Sequence, residues 1–247
     1  MEKKENHYSC DIVKSMLSEN NMLPFYVEEK EFGKEVPFWS IINEEEQKFL
    51  YRSAVFRRFE KGEQIHNCKE ECIGVLFIRR GMIRVYMISE EGKEITLYRL
   101  GEGETCTLSA ACIIHEITFD VLIDVIEPSE IWIVNASAIL ELSKKNIYVE
   151  NFLYRQTVEH FSEVMWAFQQ IVFMSFDKRL AIFLLDESIH NKNDRIHMTH
   201  DQIAKCLGSA REVVTRMLKY FSEENIVELH RGEIWITNRK KLKEIIL

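Results

Sequence analysis

Chain breakers are scarce in this sequence: three prolines and nine glycines in 247 residues, and neither type anywhere from 129 through 207. Whatever folds there is free of a built-in stop. No run approaches about 18 uninterrupted apolar residues, which argues against a membrane-spanning helix. The opening Met1-Glu2-Lys3-Lys4-Glu5-Asn6-His7 has no apolar segment behind it, so no secretory signal is read and a cytoplasmic protein is expected. The six cysteines (Cys10, Cys68, Cys72, Cys106, Cys112 and Cys206) include no C-x-x-C pair, the tightest spacing being Cys68-x-x-x-Cys72. In a reducing compartment this pattern argues for buried or unpaired thiols rather than a disulfide framework. No H-x-H occurs either, which removes the clustered ligands a cupin-like metalloenzyme needs. No catalytic residue and no metal site is expected.

What is present is the composition of a globular protein, 46% hydrophobic and 29% charged, long enough for one large domain or two modest ones. The net charge of −8 is unevenly placed: residues 175–247 carry 13 Lys and Arg against 11 Asp and Glu, so that segment is +2 and the remainder −10. A basic C-terminal part on an acidic body suggests a local polyanion contact.

Residues 1–35 are polar, with faint helical spacing at Asp11, Ile12, Met16 and Leu17, and read as a lightly packed arm. A short helix is expected from Asn43-Glu44-Glu45-Glu46 through Phe49 and Leu50, its acidic first turn suiting the helix dipole. From about Val55 the apolar period becomes two: Ile73, Val75, Phe77; Ile83, Val85, Met87; Ile95, Leu97. Arg79-Arg80-Gly81, Ser89-Glu90-Glu91-Gly92 and Gly101-Glu102-Gly103 read as hairpin turns, and further strand-like segments follow at 118–126 and 130–134. Many short strands at this spacing predict a β-barrel or jelly roll over about 50–136. Near Ile147 the period becomes helical, with Val149, Leu153, Phe161, Val164, Met165, Phe168, Ile171 and Val172 on one broad stripe until Ser175-Phe176-Asp177 offers a cap. A helix of about 25 residues runs roughly 40 Å. That is more apolar surface than one side of a small barrel can cover, so a symmetric partner helix is expected.

The densest signal lies in 196–236. Thr199-His200-Asp201-Gln202 is a capping box opening a short helix, with Ile203, Ala204 and Leu207 inward and Gly208 as its C-terminal turn. Ser209-Ala210-Arg211-Glu212 reads as a second box opening a second helix. Two helices joined by a tight glycine turn make a helix-turn-helix. On the second helix Arg211, Glu212, Thr215 and Arg216 fall within about 140° at 100° per residue, with Val213, Val214, Met217, Leu218 and Phe221 opposite. Guanidinium forks suit guanine edges and a carboxylate suits cytosine N4, so these four residues, with Ser209 at the turn, are the candidate DNA contacts. Ile226 to Ile236 reads as a hairpin wing with Arg231 at its tip, and Asn238 with Arg239-Lys240-Lys241 starts a last short helix; Arg231 and this basic run would either touch phosphates or form a solvated charge cluster.

These residues resemble the cyclic-AMP receptor/fumarate–nitrate regulator (Crp/Fnr) family of bacterial transcription factors over about 50–245. The resemblance rests on Lys61-Gly62-Glu63, the run from Phe77 to Tyr86, Ser89 to Glu94, and Arg211-Glu212-x-x-x-Arg216 after Gly208-Ser209. It implies an α+β fold: a cyclic-nucleotide-binding-like β jelly roll, a long dimerisation helix and a C-terminal winged helix-turn-helix. The domain plan is an arm and short helix at 1–45, the sensor at 46–146, the long helix at 147–175 and the DNA-binding domain at 176–247. A homodimer reading TGTGA-like half-sites about one DNA turn apart is implied, with RNA polymerase as a further partner and a small-molecule or redox signal sensed by the roll.

By the same resemblance the effector pocket would be formed by Glu104, Thr105, Cys106, Thr107 and Ser109 facing His160, Val164 and Met165. The cyclic-AMP branch holds its phosphate with Gly-Glu followed later by Arg-Ser. Here Gly103-Glu104 is present, but the later segment reads Glu116-Ile117-Thr118-Phe119 without arginine, so cyclic AMP is not expected. The iron–sulfur branch uses clustered N-terminal cysteines, where this chain has Cys10 alone. Haem and iron–sulfur stay open, with His66, Cys68, Cys72, Cys106, Cys112 and His115 as possible ligands.

Overall fold

A computed structural model describes residues 28–66, 73–110 and 121–247. Two short helices open it, α1 (Glu29–Glu35) and α2 (Glu44–Arg52). The second starts where expected: the Asn43 side chain accepts from the Glu45 and Glu46 amides, both at 3.0 Å, and Glu46 returns the bond to the Asn43 amide. Residues 1–27 lie outside the described part, but the stretch of the expected arm from 28 onward is not lightly packed. Phe32 of α1 is fully buried, edge-on to Trp132 at 4.8 Å, and Arg79 reaches back to Glu31 and Glu35.

The roll follows: β1 (Ala54–Phe59), β2 (Gln64–His66), β3 (Val75–Ile88), β4 (Glu94–Leu100), β5 (Thr105–Cys106) and β6 (Leu122–Val134). Its backbone is β1-β6-β3-β4, antiparallel throughout, with β2 on β6 and β5 on β3. The period-two pattern of β3 separates two cores rather than core from solvent. Leu76, Ile78, Ile83 and Val85 fill the inside of the roll, whereas Val75 and Phe77 point to the opposite face and pack with Phe32, Phe38, Trp132 and Ile139. Both faces of the strand are therefore dry from Val75 to Ile78.

Two sequence readings need correction here. Arg79-Arg80-Gly81 is not a hairpin turn, and the segments around 118–126 and 130–134 are not separate strands over their described part. β3 and β6 each run unbroken through these points, with the register slipping at Arg80↔Glu130 and Met82↔Glu127. Gly81 is a bulge: its φ is +92°, and a Cβ there would sit 2.4 Å from the Pro128 carbonyl oxygen. A glycine flanked by charge reads as a turn when it in fact lets one long strand bend across another. Gly81→Ala should cost about 1–3 kcal/mol, read as a lowered unfolding midpoint in urea; an unchanged midpoint would remove the bulge argument. The Ser89 to Lys93 turn is as read, closing β3 onto β4 (Ser89 N–H to Lys93 O, 2.8 Å), whereas Gly101-Glu102-Gly103 is a turn, with Gly103 at φ +82°, but not a hairpin, because β4 and β5 each pair with β3 and not with each other.

Two helices leave the roll: α3 (Ala136–Lys145) and the long α4 (Ile147–Phe173). The C-terminal unit comprises α5 (Phe176–His190), β7 (Arg195–Ile196), α6 (His200–Leu207), α7 (Arg211–Glu223), β8 (Val227–His230), β9 (Glu233–Ile236) and α8 (Arg239–Ile246). Its own core gathers Leu180, Leu184, Ile203, Leu207, Val214, Leu218, Phe221 and Ile234.

Candidate DNA-reading face and sensor pocket

The first helix of the reading unit is capped as its sequence demands. Thr199 Oγ1 accepts from the Gln202 amide at 3.2 Å, and Gln202 Oε1 accepts from the Thr199 amide at 2.8 Å. Gly208 ends it in the left-handed region (φ 59°, ψ 43°), and Ser209 N–H returns to Ala204 O at 3.0 Å. The second box does not form. Ser209 is already used in closing that turn, so the extended N-cap conformation falls on Ala210, without a side-chain cap, and α7 begins at Arg211. Ser209 is half-buried in the turn.

The division of faces on α7 is as read. Val214, Leu218 and Phe221 are buried, and Arg211, Glu212, Thr215 and Arg216 are exposed. Among the described residues none makes an ion pair or hydrogen bond with the side chain of Arg211, Glu212 or Arg216. Two guanidinium groups and a carboxylate thus stand unspent on one face, clamped from behind. Thr215 differs: its hydroxyl donates to Arg211 O at 2.9 Å and lies 2.9 Å from His200 Nδ1. Its polar atom is engaged within the protein, which leaves the methyl as the free part of the side chain. Sequence reasoning missed His200, whose place at the start of α6 brings it against the second turn of α7.

Arg231 stands exposed in the β8–β9 turn, where Gly232 has φ +78°. The wing has a third strand that two residues of sequence could not announce, β7, paired to β9 at Arg195↔Trp235 and Ile196↔Ile234. The basic run is partly consumed inside the protein: Arg239 bonds Asp194 at 2.7 Å and Ser188 at 3.1 Å, and Lys241 bonds Glu224 O at 2.7 Å. Asn238 caps α8 by accepting from the Lys241 amide at 3.0 Å.

A charged seam, invisible in the sequence, joins the reading unit to the roll. Arg84, buried on β3, bonds Glu94 at 2.7 Å, Thr96 at 2.8 Å and the Lys205 carbonyl at 3.2 Å, and Lys205 Nζ reaches Glu94 at 3.2 Å. Arg99 pairs with the buried Glu187 and touches Cys206 Sγ at 3.4 Å. Burial would raise the Glu94 pKa, but the bonds from Arg84 and Lys205 outweigh it and hold the carboxylate below its ordinary value. Gly208 is pressed against this seam; a Cβ there would lie 2.8 Å from Ile95 Cγ1.

The sensor residues are brought together only in part. Thr105, Cys106, Thr107 and Ser109 are buried, and Ser109 Oγ donates to Cys106 O at 3.0 Å. His160 meets them: its Nε2 is 2.9 Å from Thr105 O, its Nδ1 is 3.2 Å from Glu163, and its ring stacks on Tyr98 at 4.6 Å. Tyr98 was not singled out from sequence. Val164 packs half-buried on the roll interior, whereas Met165 is on the other side of α4 and 44% exposed. Glu104 is exposed, its carboxylate accepting from the Gly101 amide at 2.6 Å. Burial pushes the Cys106 thiol up, and the Tyr98 hydroxyl well up, from their ordinary values. The Thr107 hydroxyl is buried without a hydrogen-bond partner among the described residues. Cys10, Cys68, Cys72, Cys112, His115 and the 116–119 segment lie outside the described residues.

Residues 56–146 match the cyclic nucleotide-binding domain, and residues 178–245 match the Crp-like helix-turn-helix domain. The crystal structure of a transcriptional regulator of the Crp/Fnr family from Eubacterium rectale is similar at 38% identity and a TM-score of 0.84, covering 86% of this chain and 99% of that one. The chain belongs to the Crp/Fnr family. It is a DNA-binding transcription regulator of that type, and its relatives are regulators rather than enzymes. The curated cAMP-activated global transcriptional regulator CRP of Salmonella typhimurium is 22% identical over 205 residues, 74% of this chain and 85% of that protein. The c-di-GMP responsive regulator CLP of Xanthomonas campestris shares the fold at a TM-score of 0.66 and 14% identity, covering 79% of this Crp/Fnr chain and all of its own. Among the described residues, no helix is long and apolar enough to cross a membrane.

Proposed function

We propose that this Crp/Fnr regulator works in the cytoplasm as a homodimer that lays the exposed face of α7 into the major groove of a two-fold symmetric site. The half-sites are TGTGA-like and about one DNA turn apart. The observation that carries the reading is the unengaged trio Arg211, Glu212 and Arg216 on a helix whose opposite side is fixed by packing. Arg231 at the wing tip supplies a phosphate contact, and RNA polymerase is the further partner that a DNA-bound regulator of this family addresses.

The dimer reading rests on α4. Tyr154, Val158, Phe161, Met165, Phe168 and Val172 recur at spacings of four and three, and all are at least 44% exposed. At 100° per residue they fall within about 80° of one another. Val149, Leu153, His160 and Val164 occupy the opposite side, against the roll. The broad stripe read from sequence is thus two stripes, one facing the roll and one with a coiled-coil seam's spacing that its own chain leaves open.

The effector is a small molecule or redox signal acting where β5 meets α4. A cyclic phosphate fits this lining poorly: residues 101–120 contain no lysine or arginine, and Glu104 is already held by the Gly101 amide. The Thr107 hydroxyl beside Cys106, without a partner among the described residues, is a polar group that such a ligand would satisfy. The test titrates the protein onto a duplex carrying two TGTGA half-sites one turn apart. Two protomers per duplex are expected, with affinity falling when the spacing is changed by half a turn. Equal affinity for a scrambled duplex would overturn the half-site reading.

A further inference from the structure

We infer that His200 is a DNA-phosphate contact that works only when doubly protonated, so that DNA binding by this regulator takes up a proton. The inference deepens the DNA-binding reading and rests on it. The Thr215 hydroxyl has a single hydrogen, and its 2.9 Å bond to Arg211 O uses it. With that hydrogen on Arg211 O, the 2.9 Å contact between His200 Nδ1 and Thr215 Oγ1 is donated by the ring, which puts the proton on Nδ1 in the neutral form. Nε2 is left with a lone pair and takes no hydrogen bond from any described residue.

His200 is half-exposed at the first position of α6, one turn across from Arg211, on the side of the unit that carries the reading face. A phosphate oxygen only accepts, so it cannot bond the bare Nε2 of the neutral ring. It can bond the imidazolium. In the free protein, burial and then the nearby Arg211 charge hold the His200 pKa below its ordinary value. Arg211 is the charge that bears on the ring from the helix packed against it; Thr215, its other neighbour there, does not titrate. A phosphate beside Nε2 supplies the opposite charge and raises the pKa on binding. A group with a higher pKa in the complex makes the complex stronger as pH falls, and the gain is lost as pH rises through the bound-state pKa.

The experiment measures Kd at fixed salt between about pH 6 and 8, on the two-half-site duplex and on one of random sequence. For the wild type, Kd should fall as pH falls, by up to about tenfold per pH unit per protomer, on both duplexes because a phosphate contact is blind to sequence. His200→Gln should flatten that slope and lower the salt dependence of log K by about one phosphate contact, near 0.9, per protomer. Thr215→Val separates this role from a mere helix brace. Without the hydroxyl acceptor the neutral ring is free to carry its proton on Nε2 and donate to phosphate, so the slope should shrink while binding at pH 8 improves relative to wild type. A wild-type slope that persists in His200→Gln would overturn the inference and leave the DNA reading standing. Absence of binding to either duplex would overturn both.

Discussion

Replacing Arg216 with alanine is expected to cost about 1–3 kcal/mol at one base position of each half-site and to relax the preference there, leaving the other positions discriminated as before. The magnitude follows from the environment of the side chain. Arg216 is exposed on the second turn of α7, has no carboxylate partner among the described residues, and its loss removes nothing from the core formed by Val214, Leu218 and Phe221. A stability change is therefore not expected, and the unfolding midpoint should match the wild type. Binding to single-base variants of the half-site, measured at one salt concentration, provides the test. A uniform loss across all sequences would mean that Arg216 touches phosphate and that base reading lies elsewhere. Arg231→Ala, by contrast, should give such a uniform loss and a shallower salt slope, because the β8–β9 tip can reach a backbone but holds no second fork to orient on a base.

The second large effect concerns the seam on α4. Phe161 and Phe168 are 63% and 53% exposed and lie one heptad apart. Burying a phenylalanine contributes about 1.5–3 kcal/mol, and a two-fold seam buries each twice. The double variant Phe161→Glu, Phe168→Glu also sets like charges against one another across the axis. A thousandfold or greater weakening of self-association, about 4 kcal/mol, is expected in sedimentation equilibrium. Affinity for the two-half-site duplex should drop with it, whereas the folding of the single chain should change little because neither ring contributes to its cores. A variant that stays dimeric at micromolar concentration would place the interface on another surface.

Legibility varied with the range of the interaction that decides each feature. The Thr199 capping box, the glycine C-cap, the hairpin at Ser89 to Lys93 and the wing are set by residues a few positions apart, and their sequences announce them. The same locality explains the reading face of α7, since helix geometry alone sorts Arg211 and Arg216 from Val214 and Leu218. Where a long-range contact decides, local reading failed. Gly81 looked like a turn because its partner, the Pro128 carbonyl, is distant in sequence. Phe32 looked like part of a loose arm because the pocket that buries it is made by Trp132 and Phe38. Ser209 is a local miss of another kind: its amide closes the Gly208 turn onto Ala204 O, so the cap falls one residue later, on Ala210. The Arg84–Glu94–Lys205 seam and the His200–Thr215 pair join elements whose proximity no periodicity encodes.

By itself, then, the chain's order of residues determined most of the element types, the Crp/Fnr character and the chemical identity of the candidate DNA-reading face. Those depend on backbone propensity and on side-chain period, which are properties of neighbours. Tertiary structure alone decided which stripe of α4 is left uncovered by its own chain, that the Thr215 hydroxyl turns toward the protein, and that Arg84, Glu94 and Lys205 meet where the roll touches the C-terminal unit. Each of these is a competition between distant groups for one side chain, and only the folded arrangement settles which partner is near enough to win.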